Sequence, residues 1–256
     1  MIFQNFGFNQ NYPVAEVAPV VIGIQPLAIS ASLFAYYDIA FTASYSGSGQ
    51  TKVFDLSGNN NSGSVIGTVN YDTTTISGSV LRLGASSQAN RVDMPQVTLG
   101  NGQTWVMAWY MTSGNFQFNG IEFFAGRDPQ PYGMFALDNV YNAVALGFID
   151  DEYGGSLTAT PTNSGQSGSW HISQFSFNDT TNTLNYCMDG ATGSYSVTAA
   201  VSTGTITPKW NFNNTALPNR YLNSGSMMQV MALYTGSLST AELLQNHNSL
   251  KGRYGL

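Results

Sequence analysis

The stretch LNYCMDG (184–190) sets Leu184, Tyr186 and Met188 in alternation with Asn185, Cys187 and Asp189, then breaks at Asp-Gly. Strict period-two alternation ending in Asp-Gly is the mark of a half-buried strand entering a tight hairpin turn. The same period runs outward from it. AVALGFID (143–150) places Val144, Leu146 and Phe148 on one face, and NRVDMP (90–95) places Val92 and Met94 opposite Arg91 and Asp93. TWVMAWYMT (104–112) and MMQVMALYTG (227–236) are almost unbroken apolar runs, as expected of strands buried on both faces. Turn clusters separate these segments: SGSGQ (46–50), TNSGQSGS (162–169) and DGATGS (189–194). Many short strands with frequent turns, and neither heptads nor a fixed repeat, predict an all-β, two-sheet antiparallel sandwich of the jelly-roll kind.

One helix interrupts the pattern. In LSTAELLQNHNSLKG (238–252), Ser239 and Glu242 are spaced as a capping box, with Leu238 and Leu243 as its hydrophobic staple. Lys251 and Gly252 supply a C-terminal stop. Leu243, His247 and Leu250 share a face that should lie on the sandwich, which makes His247 a packing residue.

Composition narrows the function. Charged residues are 9% of the 256, hydrophobic 43% and aromatic 13%, so a large core is coated mainly by uncharged polar groups. The net charge is -6, and no Lys or Arg precedes Lys52, so no basic stripe exists for nucleic acid. Cys187 is the single cysteine, which excludes an intrachain disulfide and reads as a small apolar residue. The N-terminus lacks the positive region of a secretory leader. The apolar stretch 17–35 is broken by Pro19, Gly23 and Pro26 and has no basic flanks, so no membrane span is expected.

Residues 1–35 carry one charged side chain, Glu16, and three prolines. Prolines remove backbone donors and oppose helix, so the segment reads as an extended arm ahead of a domain at 36–256. Phe3, Phe6, Phe8 and Tyr12 give it an apolar surface that needs a partner, and they are the candidate anchoring residues.

Candidate chemistry is sparse. FDLSGNNNSG (54–63) spaces Asp55, Ser57, Asn59 and Asn61 like oxygen ligands. A helix–loop–helix calcium loop needs Gly at its sixth place and Glu at its twelfth, which here are Asn60 and Ile66. The stretch reads as a side-chain-stabilised turn. Asp150, Asp151 and Glu152 form the densest acidic cluster; they are solvated loop charges or, alternatively, calcium ligands. Neighbouring strand residues face opposite ways, which argues against a catalytic carboxylate pair there. Cys187 has no basic neighbour in sequence, and His171 after Trp170 reads as half of a packing pair. No cofactor is expected.

Three blocks carry a resemblance: YYDIAFTASYSGSGQTKVFDLSGNNNSGSV (36–65), WHISQFSFNDTTNTLNYCMDG (170–190) and LYTGSLSTAELLQNHNSLKGRYGL (233–256). Together they resemble the concanavalin A-like, laminin-G-like jelly rolls of bacteriophage structural proteins. The resemblance implies a virion protein exposed on the particle and bound to its major capsid or tail proteins. It gives the Asp55 loop no catalytic role, and Glu122 stands without the paired acids of related glycanases. The expected function is a non-enzymatic capsid decoration or cement protein held by its arm. The alternative is a tail-fibre or baseplate adhesin that binds host surface glycan. A homotrimer is the expected assembly.

Overall fold

A computed structural model of the chain describes residues 27, 32–75, 77–83, 90–110, 121–126, 133–138, 149–150, 155–156, 168–196, 204–210 and 227–256. For 121–126, 133–138, 149–150 and 155–156 only the backbone is described.

In chain order the strands begin with β1 (Leu33–Asp38), β2 (Lys52–Val53), β3 (Gly63–Ile66), β4 (Val69–Thr75), β5 (Gly78–Leu83) and β6 (Arg91–Asp93). Next come β7 (Val97–Leu99), β8 (Gly102–Tyr110), β9 (Ile121–Gly126), β10 (Gly133–Asp138), β11 (Ile149–Asp150) and β12 (Gly155–Ser156). The last are β13 (Trp170–Asn178), β14 (Thr183–Met188), β15 (Ala191–Ser196), β16 (Gly204–Ile206), β17 (Lys209–Trp210) and β18 (Met227–Tyr234). Helix α1 (Thr240–Tyr254) follows. The first sheet is ordered β15-β14-β13-β8-β18-β5-β4, with β1 also on β18, and the second β12-β11-β10-β9-β17-β6-β3-β2. β16 and β7 form a separate ribbon. The described chain is the antiparallel all-β sandwich that the alternation predicts, with one C-terminal helix.

The continuous apolar runs are explained by burial on both faces. In β8, Trp105, Met107 and Trp109 enter the sandwich interior, where Trp105 meets Trp210 of β17 at 5.3 Å. Val106 and Ala108 face outward and are covered by α1 through Leu243 and Leu250. The same division holds in β18, with Met231 and Leu233 inside and Val230 and Ala232 outside. Bulky residues fill the gap between the sheets, and smaller ones let the helix approach the outer face.

β18 changes neighbour part-way, pairing with β5 at Met227–Met228 and with β1 over Val230–Tyr234. Gln229 stands at the change. Its Nε2 donates to the Ser77 and Ser79 carbonyls at 3.0 and 2.8 Å, and the main-chain carbonyl of Gln229 accepts from Ile39 N–H at 2.9 Å. Those bonds satisfy backbone groups that the switch would otherwise strand.

The capping box forms as expected. Ser239 Oγ accepts from Glu242 N–H, and Glu242 Oε2 accepts from Ser239 N–H. The stop expected at Gly252 falls instead at Gly255, which takes the left-handed conformation at φ 71°. Two contacts favour the extra turn. Arg253 Nη1 donates to both oxygens of Asp38, at 2.8 and 2.7 Å, and Tyr254 packs on the Trp170 ring at 4.8 Å. Asp38 is fully buried. Burial pushes its carboxyl above the ordinary value, while Arg253, the Tyr36 hydroxyl and the Ala40 amide pull it back.

The expected boundary between arm and domain at residue 36 meets two facts. β1 begins at Leu33, and Leu27 is buried in the cluster beneath α1. Phe3, Phe6, Phe8 and Tyr12 lie outside the described residues. Among the described residues, no helix is long and apolar enough to cross a membrane.

Replacing Arg253 with Met would leave the Asp38 charge buried without its partner. Such a loss costs about 3–5 kcal/mol. Urea unfolding of R253M should show a drop of that order, and a change below about 1 kcal/mol would mean the pair is dispensable.

Candidate functional site

The Asp55 stretch is a turn, as its sequence implies. Asp55 Oδ1 accepts from Tyr36 and Ser57 N–H, both at 2.9 Å. Oδ2 accepts from Ser57 Oγ at 2.7 Å and Asn61 N–H at 2.9 Å. The amides of Asn59 and Asn61 donate to the Leu33 and Phe34 carbonyls. The alternate polar residues thus bind the chain itself, tying the loop to β1.

Of the acidic cluster, Asp150 ends β11, paired with Gly155 of β12. Asp151 and Glu152 lie outside the described residues. Among the described residues, no group of three or more His, Cys, Asp or Glu is placed to hold a metal. Cys187 is buried under α1, and desolvation pushes its thiol up to about 11, the environment of an inert apolar side chain.

His171 departs from the expected pairing with Trp170. Successive strand residues point to opposite faces. Trp170 therefore packs outward on Tyr254, and His171 turns inward onto Trp109 at 4.7 Å. Its Nδ1 lies 2.7 Å from Asp189 Oδ2 and its Nε2 3.0 Å from Ser169 Oγ. Asp189 Oδ1 also accepts from Ile172 N–H at 2.8 Å. Acid, imidazole and hydroxyl stand in the order of a nucleophile relay. The imidazole is only 5% exposed, though, and is pressed against an indole. What the geometry does is lock the β14–β15 turn to the start of β13.

That turn comprises Asp189 and Gly190 alone, both at positive φ (48° and 88°), as in a two-residue primed hairpin turn. The following ATGS, read in sequence as part of the turn, already belongs to β15. The register sets Tyr186 opposite Gly193 and Leu184 opposite Tyr195. A side chain at Gly193 would collide with the Tyr186 ring, its Cβ standing 2.4 Å from Cε1. Tyr186 therefore lies flat over Gly193 and stacks on Tyr195, centroids 5.5 Å apart and planes at 20°. Leu184, Tyr186 and Met188 pack on the sandwich interior, while Tyr195 on the edge strand is 39% exposed. The outcome is a flat aromatic step on a braced hairpin, with the exposed Thr192, Ser194 and Ser196 on the other face of β15. An aromatic face beside the uncharged backbone edge of β15 suits a ligand with one apolar face and a polar rim.

No protein-family model and no curated protein sequence matches the chain. Solved structures do match in fold. The receptor-binding domain of botulinum neurotoxin type G superposes with a TM-score of 0.58 at 9% identity, over 85% of this chain and 51% of that one. The botulinum neurotoxin DC binding domain in complex with SialylT gives 0.61 at 12%, over 87% and 52%. Trypanosoma rangeli sialidase in complex with the inhibitor DANA gives 0.56 at 12%, over 86% and 33%. The chain is a sandwich of their architecture. It spans about half the length of the toxin domains and a third of the sialidase, and identities this low establish the fold alone.

His247, buried on the inner face of α1 as its spacing implies, yields a pH effect. Its Nδ1 has no hydrogen-bond partner, and desolvation lowers its pKa against a smaller opposing effect of Asp189. The unfolded chain therefore takes up this proton first. Stability should fall as pH drops below about 6.5, the free histidine value. The H247Q variant should lose that part of the dependence in melting curves; an unchanged profile would assign it to other groups.

Proposed function

We propose that this domain is a non-enzymatic carbohydrate-binding module, and that it serves as a host-glycan adhesin in a bacteriophage tail fibre or baseplate. The observation that carries the reading is the Tyr186–Tyr195 step. The C–H face of a pyranose ring stacks on an exposed aromatic while its hydroxyls bond to neutral groups alongside. The hairpin is braced before any ligand arrives, by the His171–Asp189 bond on one side and the Tyr186–Gly193 fit on the other, so little ordering entropy opposes binding. The fold neighbours support the class of ligand, since a toxin binding domain is in complex with SialylT and a sialidase with sialic acid. The particle setting rests on the resemblance of the three sequence blocks.

Replacing Tyr195 with Ala tests the reading, because the side chain is exposed enough to be removed without unfolding the domain. On a glycan array the wild type should bind a defined set of sugars, and Y195A should bind them at least about tenfold more weakly, ~1.4 kcal/mol. An unchanged binding profile would place recognition elsewhere.

One observation favours a second reading, attachment as a capsid decoration protein. Residues 1–26 hold Phe3, Phe6, Phe8 and Tyr12 with Glu16 as their one charged side chain. A chain beginning at Leu27 keeps β1 and the buried Leu27. It should melt like the full chain and fail to attach to particles. Hundreds of copies per particle would favour decoration, and on the order of 3 to 20 would favour a tail position.

A further inference from the structure

We infer that the sugar held at the Tyr186–Tyr195 step is a neutral pyranose and not a sialylated, uronic or sulfated one. The inference rests on the glycan-binding reading above and names its ligand class. Recognition of a carboxylate or sulfate depends on an Arg fork or a Lys ammonium at the site. From Thr183 to Ser196 the chain has neither. Its single charge there, Asp189, is negative, and both of its oxygens are engaged by His171 and the Ile172 amide.

The described arginines are each held in an ion pair. Arg82 bonds Asp72 at 2.6 Å, Arg91 bonds Asp93 at 2.7 Å, and Arg253 bonds Asp38 at 2.7 Å. Drawing any of these to a ligand would break an existing pair. Lys52 lies on β2 of the second sheet, and Lys251 on α1, which covers the face of β14 opposite to the one that carries Tyr186. The charge of the whole chain, 8 Lys and Arg against 14 Asp and Glu, adds a field that repels anions.

The edge itself offers what a neutral sugar needs. Among the described residues β15 pairs only with β14, so every second residue of β15 turns its N–H and C=O outward. These groups run along the strand beside Tyr195, while the hydroxyls of Ser194 and Ser196 point to its other face. The backbone groups are uncharged donors or acceptors, matched to ring hydroxyls.

The test is an array of matched glycans, each neutral oligosaccharide beside its sialylated or sulfated form, probed with the full chain and with Y195A. The expected result is binding of the neutral member at least as strong as the charged one, insensitive to added salt and weakened at least about tenfold by Y195A. Preference for the charged members by about tenfold or more, lost as salt is added, would overturn the neutral assignment and leave glycan binding standing. Binding to no glycan of either kind would overturn both.

Discussion

Asp38 and Arg253 stand 215 positions apart in the chain and meet where water does not reach, joining the first strand to the end of the only described helix. Burying such a pair gains little net energy, because desolvation offsets the attraction. Its value here is positional. The guanidinium extends α1 past Gly252, and its remaining face lies over the Phe41 ring at 5.4 Å and the Tyr254 ring at 5.9 Å. Once α1 is seated, Leu243 and Leu250 close over Val106, Ala108, Ile172 and Cys187, and both faces of β8, β13 and β18 are dry. At its other end Leu238 N–H donates to Ser176 Oγ at 2.6 Å, and Gln174 Nε2 donates to the Leu243 carbonyl at 2.8 Å. The polar residues in the middle of an apolar sheet face are thereby the docking points for the helix backbone.

A sheet clamped in this way gives its edge a fixed place. β14 and β15 extend from β13, and the Asp189 carboxylate ties their turn back to β13 through His171 and Ile172. His247 of α1 packs beneath Gly190. Stability and the proposed recognition meet in this hairpin: the helix holds one face, the sandwich interior the other, and the tyrosine step stands at the margin between them.

Much of this was legible in sequence, and the parts that were not have a common cause. The LNYCMDG alternation, the Asp-Gly turn, the apolar runs of β8 and β18 and the capping box are local patterns, and each formed where its period or spacing put it. The end of α1, the start of β1 and the partner of His171 depend on residues far away in the chain. Gly252 carries every local mark of a stop, and the contact that overrides it comes from residue 38. The tyrosine step lay between these extremes. A two-residue turn at Asp189–Gly190 fixes the register, and counting outward from it sets Tyr186 over Gly193 with Tyr195 on the diagonal. That signal was present, but the DGATGS cluster obscured it by reading as one long turn.

Whether a sugar is held at the Tyr186–Tyr195 step is measured most directly by backbone amide shift mapping by NMR. The full chain, uniformly labelled, would be titrated with methyl glycosides of neutral pyranoses. A sugar at the step should give saturable shifts concentrated between Thr183 and Ser196, largest around Gly193 and Tyr195, with α1 and the Asp55 loop undisturbed. Saturable shifts confined to another part of the sandwich, with this hairpin silent, would contradict it.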